Sequence, residues 1–314
     1  MMNAKKWLLS VLFFILSLWI LVELKYQIFP GNRHEVDYLV NSYIPSLHNQ
    51  KYDTLIFGDS LAHNAFSSLK LKKNILDLTS NQAISMAGNY FLLERYLKHN
   101  AIPKEIYLFC IPDFLHNDLN QKYTYMYFES VFNNKNEINE IKAIKPNLYV
   151  YDENFDINKY FERRKESINL GGYKPPKRLR HININKKSLN RTSNYMNKQI
   201  QDKIINEQKT RNLLEDIPRT YLNKIVKFCK SNNIKFTVVI EPMLEKSNVI
   251  FNNSKWHSYL VKQQINYVNI NDYYIFNNYY FRMDGTHIHG KANSYYQNLI
   301  DKHVLNIYDH NFLK

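Results

Sequence analysis

The sequence predicts an α/β protein: a three-layer, doubly wound sandwich in which helices cover both faces of a mostly parallel sheet. Strand-like apolar runs alternate with segments whose apolar residues recur at helical spacing, and both halves of the chain show this alternation. Strands that are separated by helices pair in parallel and are covered on both sides. The 314 residues, 45% of them hydrophobic, are enough for one large core.

The first half contributes three predicted strands and one predicted helix. Leu55–Phe57 is a short buried strand, and Ile75–Leu78 is a candidate for the second. In the segment Met86–His99, apolar residues recur at helical spacing, which predicts a helix. The apolar run Glu105–Pro112 then predicts the third strand.

The second half repeats the pattern. A helix is predicted to begin at Asp216, as its cap, with a proline in the first turn. Strands are predicted at Phe236–Ile240 and Tyr267–Ile270. A final helix is predicted to turn one apolar face inward, with Ala292, Tyr295, Leu299 and Val304. These elements complete the alternation that favours the parallel sheet.

The N-terminal segment predicts a membrane span. Trp7–Leu24 is uncharged until Glu23 and is just long enough to cross the hydrocarbon layer as a helix. Lys5 and Lys6 precede it, so the positive-inside rule places the N-terminus in the cytoplasm. We therefore expect a single-pass protein of the inner (cytoplasmic) membrane whose main domain is extracytoplasmic, in the periplasm.

The alternative for this segment is a cleavable signal peptide. The apolar run is longer than a usual signal-peptide core, and "VELKYQIF" offers no small-x-small cleavage site, which favours an uncleaved anchor. The predicted organisation is an anchor at 1–25, a stalk at 26–50 and an α/β domain at 51–314.

A strongly basic segment interrupts the domain. Residues 133–215 read as an insertion or cap, and residues 163–191 carry ten Lys or Arg side chains against the single acid Glu166. This segment is either a grip for an anionic substrate or a solvated loop. The chain as a whole has a net charge of +14, but its predicted location argues against a nucleic-acid partner and for envelope polyanions. An AT-rich coding sequence explains the charge equally well.

The two cysteines indicate no disulfide framework. Cys110 lies in a predicted strand and Cys229 in a predicted helix, both among apolar neighbours, so they are more simply core residues than a bridge. No cysteine and histidine spacing typical of a metal site occurs, and we predict no cofactor or metal.

Two short stretches suggest a catalytic site. Gly58, Asp59 and Ser60 follow a buried strand, where open parallel sheets place their ligand sites. Far along the chain, Asp284 and His287 stand three residues apart, so the carboxylate can orient the imidazole and leave Nε2 free for a serine. The alternatives are that Ser60 only forms a turn and that His287 has a structural role.

These residues resemble the first and fifth motif blocks of the SGNH, or GDSL-type, hydrolases: "FGDS" after a strand and "DGTH" before the last helix. The anchored layout resembles envelope members of that superfamily, those of alginate O-acetylation or teichoic-acid D-alanylation. The resemblance implies a flavodoxin-like sandwich, with Ser60 as nucleophile, His287 as base and Asp284 as its partner. It also implies an oxyanion hole from the Ser60 backbone, the Ala83 backbone and Asn117, although the expected Gly-x-Asn-Asp pattern is missing.

The expected activity is acyl-ester chemistry on an envelope or surface polysaccharide through an acyl-serine. The protein is then an O-acyltransferase, for example an O-acetyltransferase, or an esterase. Its partners are an acylated carbohydrate or another acyl donor, and an acyl-exporting membrane protein. The alternative is a catalytically degenerate scaffold that binds or helps assemble an anionic envelope polymer. His63 is a further cleft candidate, and Tyr273–Tyr280 either stack sugars or pack internally.

Overall fold

The structure is a computed structural model of the 314-residue chain. The residues that it describes are 4–28, 39–67, 69, 71–120, 122–146, 148, 202, 206, 214–276, 280–281, 287–288 and 290–307.

A five-stranded sheet forms the middle layer, and every strand pair in it is parallel. The strand order is β2-β1-β3-β4-β5. Except for Phe236, which is partly buried, the hydrophobic residues of the three central strands are almost fully buried, so these strands are apolar in sequence. The strands are β1 (Thr54–Gly58), β2 (Ile75–Asp77), β3 (Glu105–Cys110), β4 (Lys235–Ile240) and β5 (Tyr267–Asn269).

Helices connect the strands, together with short 3₁₀ turns at Gln82–Ile84, Pro112–His116 and Ile270–Asp272. A π-helical turn at Leu39–Tyr43 and one α-helical turn at Ile44–Ser46 precede the sheet. The longer helices are α1 (Ala4–Ile28), α2 (Ser60–Phe66), α3 (Ser85–Leu97), α4 (Lys122–Val131), α5 (Lys135–Ile144), α6 (Asp216–Ser231), α7 (Glu245–Asn252), α8 (Lys255–Lys262) and α9 (Gly290–His303).

The strand order places helices on both faces of the sheet. The step from β1 to β2 and the step from β2 to β3 run in opposite directions, so right-handed crossovers put α2 on one face and α3 on the other. Helix α9 packs against α2, and helix α6 packs against α3, which completes the two outer layers. On α9 the prediction that Tyr295 faces inward is wrong: its side chain is 55% exposed, and the neighbouring Tyr296 is buried instead. The predicted three-layer α/β fold is confirmed.

The start of α6 corrects one expectation. We predicted Asp216 as the helix cap, but Asp216 is the first helical residue and Glu215 precedes it without a side-chain capping bond. The Ile217 N–H instead donates to Asp118 Oδ1 at 2.8 Å. A buried carboxylate from a distant loop therefore satisfies the helix end.

Within the part of the chain that is described, we find no helix with both the length and the apolar character needed to cross a membrane. The anchor at 1–25 therefore stays a prediction, as does the signal peptide.

The insertion is described only in part. Helix α5 lies inside the segment 133–215, whereas the basic residues 163–191 lie outside the described residues. Cys110 and Cys229 are both buried and free, in agreement with their interpretation as core residues.

Candidate active site

The strand order creates a crevice at the end of β1. The chain leaves β1 toward one edge of the sheet and leaves β3 toward the other, so the point between these strands is a topological switch point. Gly58 pairs with Phe109, so β1 and β3 end side by side. Ser60 follows β1 by two residues and therefore stands where open α/β sheets bind their ligands.

Gly58 allows β1, β3 and α2 to approach closely. A Cβ atom built on Gly58 would lie 2.8 Å from Ala62 Cβ and 2.9 Å from the Phe109 carbonyl oxygen. Cβ atoms essentially never come this close to other atoms, so a side chain at this position would displace the strand or the helix. The glycine thus holds the start of α2 against the sheet.

Asp59 fixes the backbone on both sides of the crevice. It is the N-cap of α2, and its Oδ1 accepts a hydrogen bond from the Leu61 N–H at 2.8 Å. Its Oδ2 accepts from the Ile111 N–H, just after β3, at 3.0 Å. The side chain is almost fully buried, which makes both bonds structurally important. The sequence analysis placed Asp59 beside Ser60 and assigned it no role of its own.

The structure brings two of the predicted site residues into contact. Ser60 Oγ lies 2.8 Å from His287 Nε2, although 227 positions separate them in sequence. Both side chains are half-buried, so the pair borders solvent. For the serine hydroxyl to donate to Nε2, the imidazole must carry its proton on Nδ1.

Two features hold the His287 segment in place. Phe281 and Ile288, both buried, form an isolated antiparallel bridge beside it. Helix α9, which follows, is tied to α2 by a hydrogen bond from Gln297 Nε2 to the Ala65 carbonyl oxygen at 2.6 Å. Because Ser60 begins α2 and His287 shortly precedes α9, this helix pair fixes their separation.

Asp284, the predicted partner of His287, lies outside the described residues. Its role in orienting the imidazole therefore stays a prediction.

The predicted oxyanion donors are placed as follows. The Ser60 N–H belongs to the first turn of α2, where no intrahelical acceptor exists. The Ala83 N–H donates to Asn81 Oδ1 at 2.9 Å. Asn117 Nδ2 donates to the Gln82 carbonyl oxygen at 2.6 Å. Two of the three predicted donors thus already have internal acceptors, and the oxyanion hole stays a prediction.

The sequence analysis missed two residues near Asp59, namely Glu241 and Tyr296. Glu241 directly follows β4 and is completely buried, and its Oε1 accepts a hydrogen bond from the Tyr296 hydroxyl at 2.8 Å. Burial, followed by the negative charge of Asp59, raises the pKa of Glu241 well above its usual value. The only signal in the sequence is an acid directly after an apolar run, the same position that Asp59 holds after β1.

The remaining candidates have mainly structural partners. His63 Nδ1 lies 3.5 Å from Thr79 Oγ1, and that hydroxyl donates to Asp77 Oδ1 at 2.6 Å. Desolvation raises the pKa of Asp77. The Tyr273 ring stacks on His303 with centroids 4.0 Å apart. Among the described residues, no group of three His, Cys, Asp or Glu side chains is arranged to hold a metal ion.

Solved structures with low sequence identity are similar to the chain. A candidate platelet activating factor from Streptococcus pneumoniae is 10% identical, with a TM-score of 0.38, and the match covers 91% of this chain and 97% of that chain. A candidate acylhydrolase from Bacteroides fragilis NCTC 9343 is 10% identical, with a TM-score of 0.34 and coverages of 83% and 93%. A GDSL-like lipase from Bacteroides thetaiotaomicron VPI-5482 is 9% identical, with a TM-score of 0.36 and coverages of 85% and 97%.

No protein-family model matches the sequence, and the search of curated proteins finds no match. Because the three TM-scores are low, the function proposed next rests on the residues of this chain.

Proposed function

We propose that the protein performs serine-dependent acyl-ester chemistry, as a member of the SGNH type, with Ser60 as nucleophile and His287 as general base. The observation that carries the proposal is the 2.8 Å separation of Ser60 Oγ and His287 Nε2 at the switch point of the sheet. A nucleophile and its base need this separation before a proton can pass between them. A serine that only formed a turn would need no distant imidazole.

The reaction follows from this pair. Ser60 Oγ attacks the acyl carbonyl carbon while its proton passes to His287 Nε2, and the first-turn N–H of Ser60 faces the developing oxyanion. His287 then returns the proton to the leaving oxygen, which gives an acyl-serine. Either water or a sugar hydroxyl then attacks the carbonyl carbon of that ester and gives its proton to the same nitrogen. The bond between the acyl group and Ser60 Oγ breaks, and His287 returns the proton to Oγ. Asp284 is the proposed partner of the imidazole.

The proposed substrate is an acylated carbohydrate of the cell envelope or surface, and the proposed location is extracytoplasmic on an N-terminal anchor. Support for both comes from the sequence: the apolar run Trp7–Leu24 behind Lys5 and Lys6, and the basic segment 163–191. An anchored enzyme is well placed to receive an acyl group from an exporting membrane protein. This favours an O-acyltransferase, such as an O-acetyltransferase, over an esterase.

The test is covalent labelling of Ser60. Full-length protein treated with a fluorophosphonate is expected to gain one adduct, and Ser60→Ala is expected to lose it because the variant lacks the hydroxyl that contacts His287 Nε2. Mass spectrometry of the intact chain measures the adduct. Ser67→Ala, at the exposed C-terminal end of the same helix, is the matched control and should label like the wild type. A folded wild-type sample that stays unlabelled would contradict the proposal.

A second experiment separates the esterase from the transferase. The protein is incubated with p-nitrophenyl acetate, with and without an acceptor oligosaccharide, and both p-nitrophenol and acetylated glycan are measured. A transferase should release p-nitrophenol faster when glycan is present and should pass the acetyl group to it. Release that ignores the glycan, with acetate as the only product, identifies an esterase.

One observation favours a second candidate, a catalytically degenerate scaffold that binds an anionic envelope polymer. The Ala83 N–H and one N–H of the Asn117 side-chain amide have internal acceptors, which reduces the donors left for an oxyanion hole. Loss of one such donor typically slows a reaction by about 10²- to 10³-fold. This candidate predicts no fluorophosphonate adduct together with salt-sensitive binding to a phosphate-bearing polymer.

A further inference from the structure

Two buried acids meet behind the nucleophile. Asp59 follows β1 and Glu241 follows β4, and β3 lies between these strands. Neighbouring strands are about 4.8 Å apart, so the two backbones are separated by roughly 10 Å and the side chains reach toward each other across the end of β3. The two acids are also held by adjacent residues at the end of β3, since Asp59 accepts from the Ile111 N–H and the Glu241 N–H donates to the Cys110 carbonyl oxygen. Both side chains are almost completely buried where they meet.

Their hydrogen-bond partners differ. Asp59 accepts two backbone N–H bonds, from Leu61 and Ile111, so each of its oxygens has a backbone donor. Glu241 accepts only the Tyr296 hydroxyl on Oε1, and among the described residues no donor reaches its Oε2. An ionised Glu241 would therefore leave a buried acceptor without a partner beside a second negative charge.

The groups around Glu241 give the charge no compensation. Facing it are Asp59, the Cys110 thiol on β3 and the Tyr296 hydroxyl on α9. Burial, followed by the charges of the neighbouring acids, raises the pKa values of the thiol and the hydroxyl well above their usual ranges, so both stay neutral. No cation appears among the groups that act on Glu241 in the described residues. A proton on Glu241 is the remaining way to satisfy the pair.

We propose that Glu241 is a protonated positioning residue whose carboxyl hydrogen bonds to Asp59 and thereby fixes the carboxylate that orients Ser60. The positioning role rests on the proposed function, whereas the shared proton does not. Since Asp59 holds the backbone of α2 and of the loop after β3, a bond that restrains Asp59 restrains Ser60 relative to its surroundings. Glu241 itself does not touch the reacting atoms.

The shared proton has a defined effect on stability. The folded protein keeps the proton on Glu241 at pH values where the unfolded chain has lost it, because the pKa of Glu241 is raised on folding. The contribution of Glu241 to stability is therefore fully present below its unfolded pKa, and it decreases as the pH rises toward the folded value. Glutamine and methionine have the same reach but do not titrate.

The first experiment compares the melting temperatures of full-length wild type, Glu241→Gln and Glu241→Met at about pH 5 and about pH 8. Both variants are expected to gain stability relative to the wild type as the pH rises. Either variant suffices if the other fails to fold. A difference from the wild type that is independent of pH in every folded variant would overturn the shared proton.

The second experiment measures the rate of fluorophosphonate labelling of Ser60. Glutamine can still donate to Asp59, whereas methionine cannot, so Glu241→Met is expected to label about tenfold more slowly than Glu241→Gln. Adding Tyr296→Phe to the methionine variant removes the hydroxyl that would otherwise lose its acceptor, and the slow labelling should persist. Equal rates in the two folded variants would overturn the positioning role. If the wild type itself does not label, the proposed function fails while the melting experiment still decides the proton.

Discussion

Replacing His287 by glutamine is expected to slow the acylation of Ser60 by about 10²- to 10⁴-fold, the usual contribution of a general base. Ser60 Oγ has its contact with His287 Nε2 at 2.8 Å, and a glutamine amide cannot take up the proton that the attack releases. The protein should remain folded, because the side chain is half-buried and the segment is held by the buried bridge between Phe281 and Ile288.

The measurement is the rate of p-nitrophenol release from p-nitrophenyl acetate, together with the rate of fluorophosphonate labelling. His63→Gln is the matched control, since His63 lies one helical turn beyond Ser60 and its ring approaches Thr79. We expect the control to change the rate far less. Equal losses in the two variants would contradict the assignment of His287 as the base, and so would full activity in His287→Gln.

The central strands could be predicted because a strand that is buried on both faces needs apolar side chains at nearly every position. Residues Leu55–Phe57 and Phe236–Ile240 are apolar runs, and they occupy the central strands β1 and β4. Helix α5 was not predicted because it lies in the segment that was interpreted as an insertion. Among the described elements it does not directly follow or precede a strand, so the alternation of strands and helices gave no indication of it. Local sequence patterns therefore predicted the strands of the sheet better than the helix in the insertion.

The start of α6 shows where local patterns fail. Asp216 has the residue type and position of a cap, yet the nearby N–H of Ile217 is satisfied by Asp118 from the loop after β3. The side chain that satisfies a helix end is chosen by tertiary packing, since any buried acceptor within reach serves. A local sequence pattern does not show which distant side chain comes close to the helix end.

In the candidate site, too, some contacts could be predicted from local sequence and others could not. The contact between Ser60 and His287 could be predicted, because both have the residue types of a nucleophile and its base and both stand near turn-forming glycines. The contact between Asp59 and Glu241 could not, because it depends on β3 lying between β1 and β4. Asn117 was predicted from its place after β3, and the structure shows its amide bonded to the Gln82 carbonyl oxygen.

Replacing Asp59 by alanine is expected to lower the free energy of unfolding by about 2 to 4 kcal/mol. The substitution removes an N-cap, which is worth about 1 kcal/mol, and a charge-assisted hydrogen bond worth about 1.5 to 3 kcal/mol. Both the Leu61 and the Ile111 N–H groups lose their acceptor in a buried position. The loss of the Asp59 charge also removes one cause of the raised pKa of Glu241, which offsets part of the destabilisation.

Urea unfolding followed by circular dichroism measures the change for Asp59→Ala, and fluorophosphonate labelling should fall in parallel because α2 is no longer tied to the end of β3. Asp53→Ala is the matched control: this acid immediately precedes β1, at the opposite end of the strand, and contacts Lys104 at the protein surface. The control should leave both stability and labelling almost unchanged, since exposed ion pairs contribute little. A small effect of Asp59→Ala, similar to that of the control, would mean that water or another buried acceptor replaces the carboxylate. The Ser60 turn would then owe its geometry to the close packing of Gly58 against Ala62 and Phe109.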